Sequence, residues 1–450
     1  MSPYAARKRR VRRSVAAGVP LAVLAAIAVT GTATGAQTGG GEKAPRITST
    51  ATLGDVSLGT FSNSLLPGTV SDDRGADLGG IGSDIYPAGR KGEFWTVTDR
   101  GPNGQIKVDG KKRRTFPVPG FDPAIVKVRV SGDTVKVIDA LPLTTSSGKP
   151  VTGLPNQEGR DEAPYTYDAK TALTYDPNGL DTEGIVRAHD GSFWLVDEYG
   201  PSLVHVSAHG KVLKRYVPRG LKLSGADYPV VEALPGVLLH RKGNRGFEGL
   251  AQLPGGDLVM AVQSPLSVPD EDAGDASRTT RLLRFSPKKQ AVTAEYAYRF
   301  DAVGVVDPGE DDTSELKISS VVAVGRDRLL VEERTDRAAR LQTVKLDRSA
   351  DILGERWDDA ATKPSLEQLD DPATSGAPVL KKRLLVDLGG IDGVPDKIEG
   401  VARVNSHTLA LINDNDFGMT DGAEAFDKDG RLVDSDVETT VTYVRLPKGI

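Results

Sequence analysis

The 450-residue chain contains no cysteine and only five histidines. The absence of cysteine excludes a disulfide-stabilised scaffold, a zinc site built on thiolates, a cysteine nucleophile and a lipoprotein anchor. Aromatic residues make up 5% of the chain, and 57 basic residues stand against 62 acidic ones. Because nucleic-acid-binding proteins usually carry a basic face, this balance predicts no nucleic-acid partner. Glycine (50) and proline (28) are frequent, which is typical of a turn-rich β protein.

Long hydrophobic runs are lacking except near the N-terminus. Basic residues are dense over residues 7–13, and an apolar run, Val15–Val29, leads into small residues up to Ala36. This run is too short to span a bilayer comfortably and suits an export signal. We predict a signal peptide over residues 1–36, compatible with twin-arginine export, and a flexible linker over residues 37–50. The prediction is a secreted, extracellular protein with no membrane insertion after signal removal; an uncleaved anchor is the alternative.

One hairpin unit recurs along the rest of the chain. A polar pair, often Glu-Gly, precedes a short strand, and a second strand ends in a polar residue fifteen positions after the first. The pairs at this spacing are Asp84/Asp99, Glu183/Glu198, Glu248/Gln263, Ser319/Arg334 and Glu399/Asp414. Tandem hairpins with about four strands per unit predict an all-β fold, a β-propeller over residues 51–450. The unit spacing favours six blades, with five or seven as alternatives, and unrelated hairpins of a multidomain β protein are the competing interpretation.

Residues that repeat in register form a ring around the channel of a propeller. Such a ring of carboxylates cannot stay ionised without a cation or a basic partner. Oxygen ligands without histidine or cysteine favour Ca²⁺. Basic residues lie beside the acids, and the two together can bind phosphate groups through bridging metals and bidentate arginine contacts. The simpler alternative is that each Glu-Gly pair caps a turn and each basic residue pairs with a neighbouring acid.

Four segments then carry a family resemblance. They are Asp99–Pro102, Asp181–Gly184 with Trp194–Pro201, Arg245–Leu250, and Lys397–Gly400 with Asn413–Asp416. With these segments the sequence resembles the bacterial phytase-like family described as "esterase-like activity of phytase", from about Leu53 to Leu446. It is more distantly similar to the β-propeller phytases, which hold phosphate with calcium in an acidic channel mouth. The resemblance implies a secreted, propeller-like domain with phosphoester or ester hydrolase activity.

Our hypothesis is a monomeric, calcium-assisted hydrolase that acts on a small phosphorylated or ester substrate. The candidate metal ligands are Asp84, Glu183, Glu248 and Glu399. The candidates for activating water are Asp197, Glu198 and Asp414. The candidates for binding phosphate are Arg100, Arg245, Arg334 and Lys397. Two alternatives remain open: a non-catalytic propeller that binds a ligand or partner with purely structural calcium, and a different propeller enzyme such as a lactonase-type metal hydrolase.

Overall fold

The computed structural model describes residues 44–66 and 70–450, and its regular structure is mainly β-strand, as predicted. The predicted signal peptide and linker residues 37–43 lie outside the described residues. The strands are β1 (Arg46–Leu53), β2 (Ile85–Pro87), β3 (Glu93–Val97), β4 (Gly104–Val108), β5 (Lys111–Phe116), β6 (Ala124–Ser131), β7 (Thr134–Pro142), β8 (Pro164–Thr166), β9 (Thr182–Arg187), β10 (Phe193–Asp197), β11 (Ser202–Val206), β12 (Val212–Pro218), β13 (Val230–Leu234), β14 (Phe247–Gln252), β15 (Leu258–Val262), β16 (Thr279–Ser286), β17 (Ala291–Arg299), β18 (Val321–Gly325), β19 (Arg328–Arg334), β20 (Ala339–Lys345), β21 (Lys382–Asp387), β22 (Ile398–Asn405), β23 (Thr408–Asn413) and β24 (Thr440–Arg445).

Helices in the described part of the chain are short. The α-helices are α1 (Leu58–Leu65), α2 (Glu271–Ala276) and α3 (Val303–Val306). The 3₁₀ helices are Gly236–His240, Thr313–Glu315, Arg348–Ala350, Arg356–Asp358, Asp416–Gly418 and Ala423–Ala425. Over residues 44–66 and 70–450, none of the helices has the length and apolar character needed to cross a bilayer.

Most strands belong to five units, here called blades, whose neighbouring strands are antiparallel except that β13 runs parallel to β12. Blade 1 contains β2, β3, β6 and β7; blade 2 contains β9 to β13; blade 3 contains β14 to β17; blade 4 contains β18 to β21; blade 5 contains β22, β23, β24 and β1. The innermost strands β2, β9, β14, β18 and β22 contact one another in a closed order, so the arrangement is propeller-like.

The six blades favoured by the sequence are not confirmed, because the described strands form five. The long interval between Asp84 and Glu183 completes blade 1 and adds a side sheet of β4, β5 and β8 rather than a further blade. The interval between β20 and β21 holds no strand at all, and Trp357 and Leu366 from it pack on Ala297 of blade 3. These insertions lengthen the chain without adding a blade, so chain length divided by unit spacing gives six blades where the described strands form five.

The two ends of the described chain close the ring together. Strand β1 pairs antiparallel with β24, from Arg46 opposite Arg445 to Thr52 opposite Thr440. Residues 46–50, assigned to the linker from composition, therefore belong to a strand. The β-branched residues in this segment favour a strand once a partner edge is present.

Hydrophobic clusters fill the space between neighbouring blades. Strand β10 shows how the sequence provides for this: Phe193 and Leu195 face blade 1, whereas Trp194 and Val196 face blade 3. Successive side chains of a strand point to opposite faces, so a strand covered on both faces is apolar at every position. This explains the continuous apolar runs of the second strand in each hairpin.

The Glu-Gly pairs lie inside the innermost strands and do not cap turns. A Cβ on Gly184 would lie 2.6 Å from the carbonyl oxygen of Glu248 in the next blade and 2.7 Å from the side chain of Val196. Glycine is therefore required at position 184, where the innermost strand β9 packs closely against the innermost strand β14 of the next blade.

Candidate functional site

The hairpin register brings the repeated polar residues to one end of the channel. The innermost strand of a hairpin begins at the end where the second strand finishes, so the first residue of the innermost strand pairs with the last residue of the second strand. The cross-strand pairs Thr182/Asp197, Phe247/Val262 and Ile398/Asn413 are each fifteen positions apart. Each register glutamate (Glu183, Glu248 and Glu399) lies at an irregularity of this pairing, directly after the paired residue. Its counterpart fifteen positions later (Glu198, Gln263 and Asp414) directly follows the second strand, so all six residues lie at the same end of the blades.

A cavity of about 380 Å³ lies at this end. All but two of the predicted site residues line it. Those present are Glu183, Glu198, Glu248, Glu399, Asp414, Arg100, Arg245, Arg334 and Lys397. The structure thus brings together acidic and basic residues from all five blades.

Asp84 and Asp197 do not line this cavity. Asp84 is buried, accepts the backbone N–H of Ile185 at 3.0 Å and lines a second cavity of about 300 Å³ among the innermost strands. Asp197 is fully buried and accepts a hydrogen bond from Arg215 at 2.6 Å. Asp197 therefore has no access to a molecule in the cavity, and its position does not fit the water-activating role predicted for it.

Three buried carboxylates, here called the acidic trio, lie close together in the cavity region. Asp181, Glu183 and Glu198 each offer an oxygen, and these oxygens all lie within 4.8 Å of one another. The Oε1 atom of Glu198 is buried without a hydrogen-bond partner, and so is Oε2 of the nearby Glu248. Asp181 was missed as a candidate ligand because it stands outside the fifteen-residue register; the Asp-Thr-Glu-Gly motif was the available signal.

Two carboxyl groups of the acidic trio, Glu183 and Glu198, and the neighbouring Glu248 resist ionisation in the absence of a cation. Burial and the charge of Glu248 raise the pKa of Glu183 well above its usual value. Burial and the charge of Glu399 do the same to the pKa of Glu248, and burial with the charge of Asp181 raises the pKa of Glu198 to about 7. Close carboxylates in a low-dielectric site need a proton or a cation to remain together.

Three basic residues of the cavity, Lys317, Arg334 and Lys397, form a second charged group together with carboxylates, here called the basic side. Arg334 pairs with Glu399 and lies 3.1 Å from Asp336, which Lys317 also contacts at 2.6 Å. Lys397 contacts Asp414 at 2.8 Å. Lys317 and Asp336 were not predicted, because neither occupies a register position in the hairpin repeat.

Arg100 and Arg245 differ in what holds them. The guanidinium of Arg100 lies 3.1 Å from Asp181 of the acidic trio. Arg245 donates to the hydroxyl of Ser264 at 3.2 Å and makes no ion pair with a carboxylate among the described residues. Arg100 therefore holds a carboxylate of the trio, whereas Arg245 keeps its charge available in the cavity.

A buried network behind the cavity fixes the acidic trio. Arg215 donates to Asp197, to Asn156 at 2.8 Å and to the carbonyl of Tyr199 at 2.7 Å. Asp197 in turn accepts the backbone N–H of Asp181 at 2.7 Å. Asp197 is thus a positioning residue that sets the backbone next to Glu183 and Glu198.

Asp414 is a second carboxyl group of the cavity, besides Glu198, whose pKa lies near neutrality. Burial raises the pKa of Asp414 to about 7, although Lys397 opposes the rise. A general base works best when its pKa is close to the working pH. The cavity therefore combines a candidate cation site, a basic side and a carboxyl group suited to exchanging a proton near neutral pH.

A family model described as "Phytase-like: Esterase-like activity of phytase" matches residues 76–417. The chain belongs to this phytase-like family. The matched range includes every lining residue of the cavity except Met419, Thr420 and Asp421. The match confirms the resemblance seen in the sequence motifs.

The phytase-like chain has a relative among fungal proteins. An uncharacterized secreted protein of Arthroderma benhamiae is 27% identical over 299 residues, which cover 57% of this chain. The aligned part is 58% of that protein, so the chain spans less than two thirds of its relative's length.

Solved structures resemble the phytase-like chain only loosely. A luciferin-regenerating enzyme is 12% identical with a TM-score of 0.34, covering 82% of this chain and 92% of that one. A calcium-binding protein, regucalcin, of Agrobacterium tumefaciens is 11% identical with a TM-score of 0.33, covering 84% and 93%. At these scores neither likeness indicates a function.

Proposed function

We propose that this chain is a secreted hydrolase of phosphate esters, or of related esters, assisted by calcium bound in the acidic cavity. The observation that carries the proposal is the buried trio of Asp181, Glu183 and Glu198 in the same cavity region as a set of basic side chains. Such a site can hold a phosphoryl group from two sides, through a cation and through charge-assisted hydrogen bonds. Membership of the phytase-like family supports the hydrolase class.

The donor set of the trio suits calcium. Its ligand atoms are all carboxylate oxygens, which are the ligands that Ca²⁺ prefers. The unpartnered oxygens of Glu198 and Glu248 are buried polar atoms, and such atoms are costly unless a proton, water or ion satisfies them. We assign the ion to Asp181, Glu183 and Glu198, with Glu248 beside them. Calcium bound there would supply positive charge to the phosphoryl oxygens.

The remaining carboxylates have other tasks. Glu399 and Asp84 do not belong to the group of carboxylate oxygens that lie within 4.8 Å of one another, so neither is assigned to the ion. Asp414 is the residue we assign to accept a proton from the attacking water. Its contact with Lys397 at 2.8 Å holds the carboxyl group in one orientation at the cavity wall.

Export rests on separate evidence. The basic and apolar pattern of residues 1–36 is that of a signal peptide, and the fungal relative is a secreted protein. Secretion would place the protein where calcium is abundant. N-terminal sequencing of the protein recovered from culture medium would show whether cleavage follows Ala36.

The test combines calcium binding with turnover. The melting temperature of the purified protein is measured in EDTA and in CaCl₂, together with hydrolysis of p-nitrophenyl phosphate and p-nitrophenyl acetate. We expect calcium to raise the melting temperature by mass action and to be required for turnover. Glu198→Gln should abolish both effects of calcium, whereas Glu355→Gln, at an exposed position, should retain both.

The outcomes separate the competing functions. A calcium-dependent melting shift without hydrolysis of either ester would favour the non-catalytic binding propeller. Turnover that persists in EDTA and in Glu198→Gln would refute the assignment of calcium to the trio.

A further inference from the structure

The basic residues of the cavity are mostly committed to the protein's own carboxylates. Six arginines and lysines line the cavity, against nine aspartates and glutamates. Five of the six have a carboxylate within ion-pair distance: Arg100, Arg114, Lys317, Arg334 and Lys397. A basic group held in this way is not free to bind a substrate anion without leaving a carboxylate unpaired.

Arg245 is the exception among the cavity residues in the described part of the chain. Its one side-chain hydrogen bond goes to the neutral hydroxyl of Ser264, and its side chain is only half-buried. It lines the cavity together with Glu198 of the acidic trio and with Lys317 of the basic side. The guanidinium therefore lines the same cavity as Glu198 of the proposed cation site, and most of its N–H donors have no hydrogen-bond partner among the described residues.

We propose that Arg245 anchors the substrate's phosphoryl group, and that the cavity accepts singly phosphorylated esters in preference to densely phosphorylated ones such as inositol hexakisphosphate. This inference rests on the proposed function and specifies its substrate class. One guanidinium can hold one phosphoryl group through two parallel N–H···O bonds. Further phosphates on the same molecule would meet carboxylates already paired with arginine or lysine.

The energetic reason is the state of those ion pairs. Arg334 and Glu399 are both almost fully buried, and Lys397 and Asp414 are held at 2.8 Å. Breaking a buried pair leaves an uncompensated charge in a medium that solvates it poorly. A polyphosphorylated ligand would have to break several such pairs to bind all of its phosphates.

Binding and turnover are measured in parallel to test this. Phenylphosphonate, a non-hydrolysable analogue of a monoester, is titrated calorimetrically at a fixed low calcium concentration, and kcat/KM is compared for p-nitrophenyl phosphate and inositol hexakisphosphate. The wild type should turn over the monoester at least about tenfold more efficiently. Arg245→Met should weaken phenylphosphonate binding by about 10- to 100-fold, as expected for loss of a charge-assisted contact. Arg431→Met, at an exposed ion pair, should leave binding unchanged.

Failure of this inference differs from failure of the proposed function. If inositol hexakisphosphate is the better substrate, the preference for singly phosphorylated esters is refuted while the hydrolase stands. If no ester is hydrolysed, the proposed hydrolase function is refuted, and calorimetry still tests the role of Arg245. Equal affinity of wild type and Arg245→Met for phenylphosphonate would refute that role, whereas weaker binding in Arg245→Met alone would support it.

Discussion

Replacing Arg215 by methionine tests the buried network that fixes the acidic trio. Arg215 is fully buried and lies 2.6 Å from Asp197, and it also donates to Ser202 at 2.7 Å and to Asn156. Methionine fills much of the same volume but provides no donor, so Asp197 is left as an uncompensated buried carboxylate. Removing one partner of such a pair costs about 3–5 kcal/mol.

The corresponding change in melting temperature follows from the size of the folded unit. Unfolding entropy is about 2.1 cal/mol/K per residue, or about 0.8 kcal/mol/K for roughly 400 residues. A loss of about 3–5 kcal/mol therefore lowers the melting temperature by about 4–6 °C. Differential scanning calorimetry at pH 8 measures this directly.

The effect should depend on pH in a defined direction. Burial raises the pKa of Asp197 to about 6 even with Arg215 in place, and removing the arginine raises it further. At pH 5 the carboxyl group of the variant is protonated and needs no counter-charge. The melting-temperature difference between wild type and Arg215→Met should therefore be smaller at pH 5 than at pH 8.

The control is Arg431→Met, the same substitution at an ion pair with Asp72 whose two side chains are about half exposed. Exposed pairs contribute at most about 1 kcal/mol, so this variant should melt within about 1 °C of wild type. Equal melting temperatures for the two variants at pH 8 would refute the reasoning. Because Asp197 holds the backbone of Asp181, Arg215→Met should also reduce the stabilisation by calcium.

Three further predictions concern packing, titration and the cation. Gly184→Ala should destabilise the protein by about 1–3 kcal/mol in denaturant unfolding, because its Cβ would meet the Glu248 backbone, whereas Gly255→Ala, with open space around it, should change stability by less than about 0.5 kcal/mol. Burial raises the pKa of Glu332 to about 8, so the stability that this carboxyl group contributes is present below pH 4.5 and is lost as the pH rises through 8. In EDTA, Glu332→Gln should therefore be more stable than wild type at pH 9, by on the order of a few kcal/mol, and nearly equal to wild type at pH 5. Parallel profiles of stability against pH for the two proteins would contradict this. Asp181→Asn should weaken the calcium-induced melting shift more than Asp84→Asn does, and the reverse order would return Asp84 to the cation site.

Much of the fold can be predicted from this sequence because hairpins are local. The apolar runs of β10, β15 and β23, the turns before them and the fifteen-residue register are all encoded within segments of about twenty residues. The number of blades could not be read in this way. Insertions such as the β4–β5 hairpin and the segment around Trp357 lengthen the chain without adding to the ring, and only their packing shows where they lie.

The candidate site divides in the same way. The register alone places Glu183, Glu198, Glu248, Glu399 and Asp414 at one end of the blades, because hairpin pairing brings the start of each innermost strand beside the end of the second strand. It cannot say which carboxylates share a cation, since that depends on contacts between blades. Asp181 pairs with Arg100, which lies 81 positions earlier in the chain. Asp197 pairs with the buried Arg215 and does not line the cavity.

An all-β chain of repeated hairpins, with acidic and basic residues in register, therefore follows from local sequence patterns. The tertiary structure decided that Asp181 joins Glu183 and Glu198, that Asp197 supports them from behind, and that Arg245 keeps a guanidinium without a carboxylate partner among the described residues. The physical reason is distance: backbone pairing acts between neighbouring strands, whereas charge pairing is settled only when separate blades pack together.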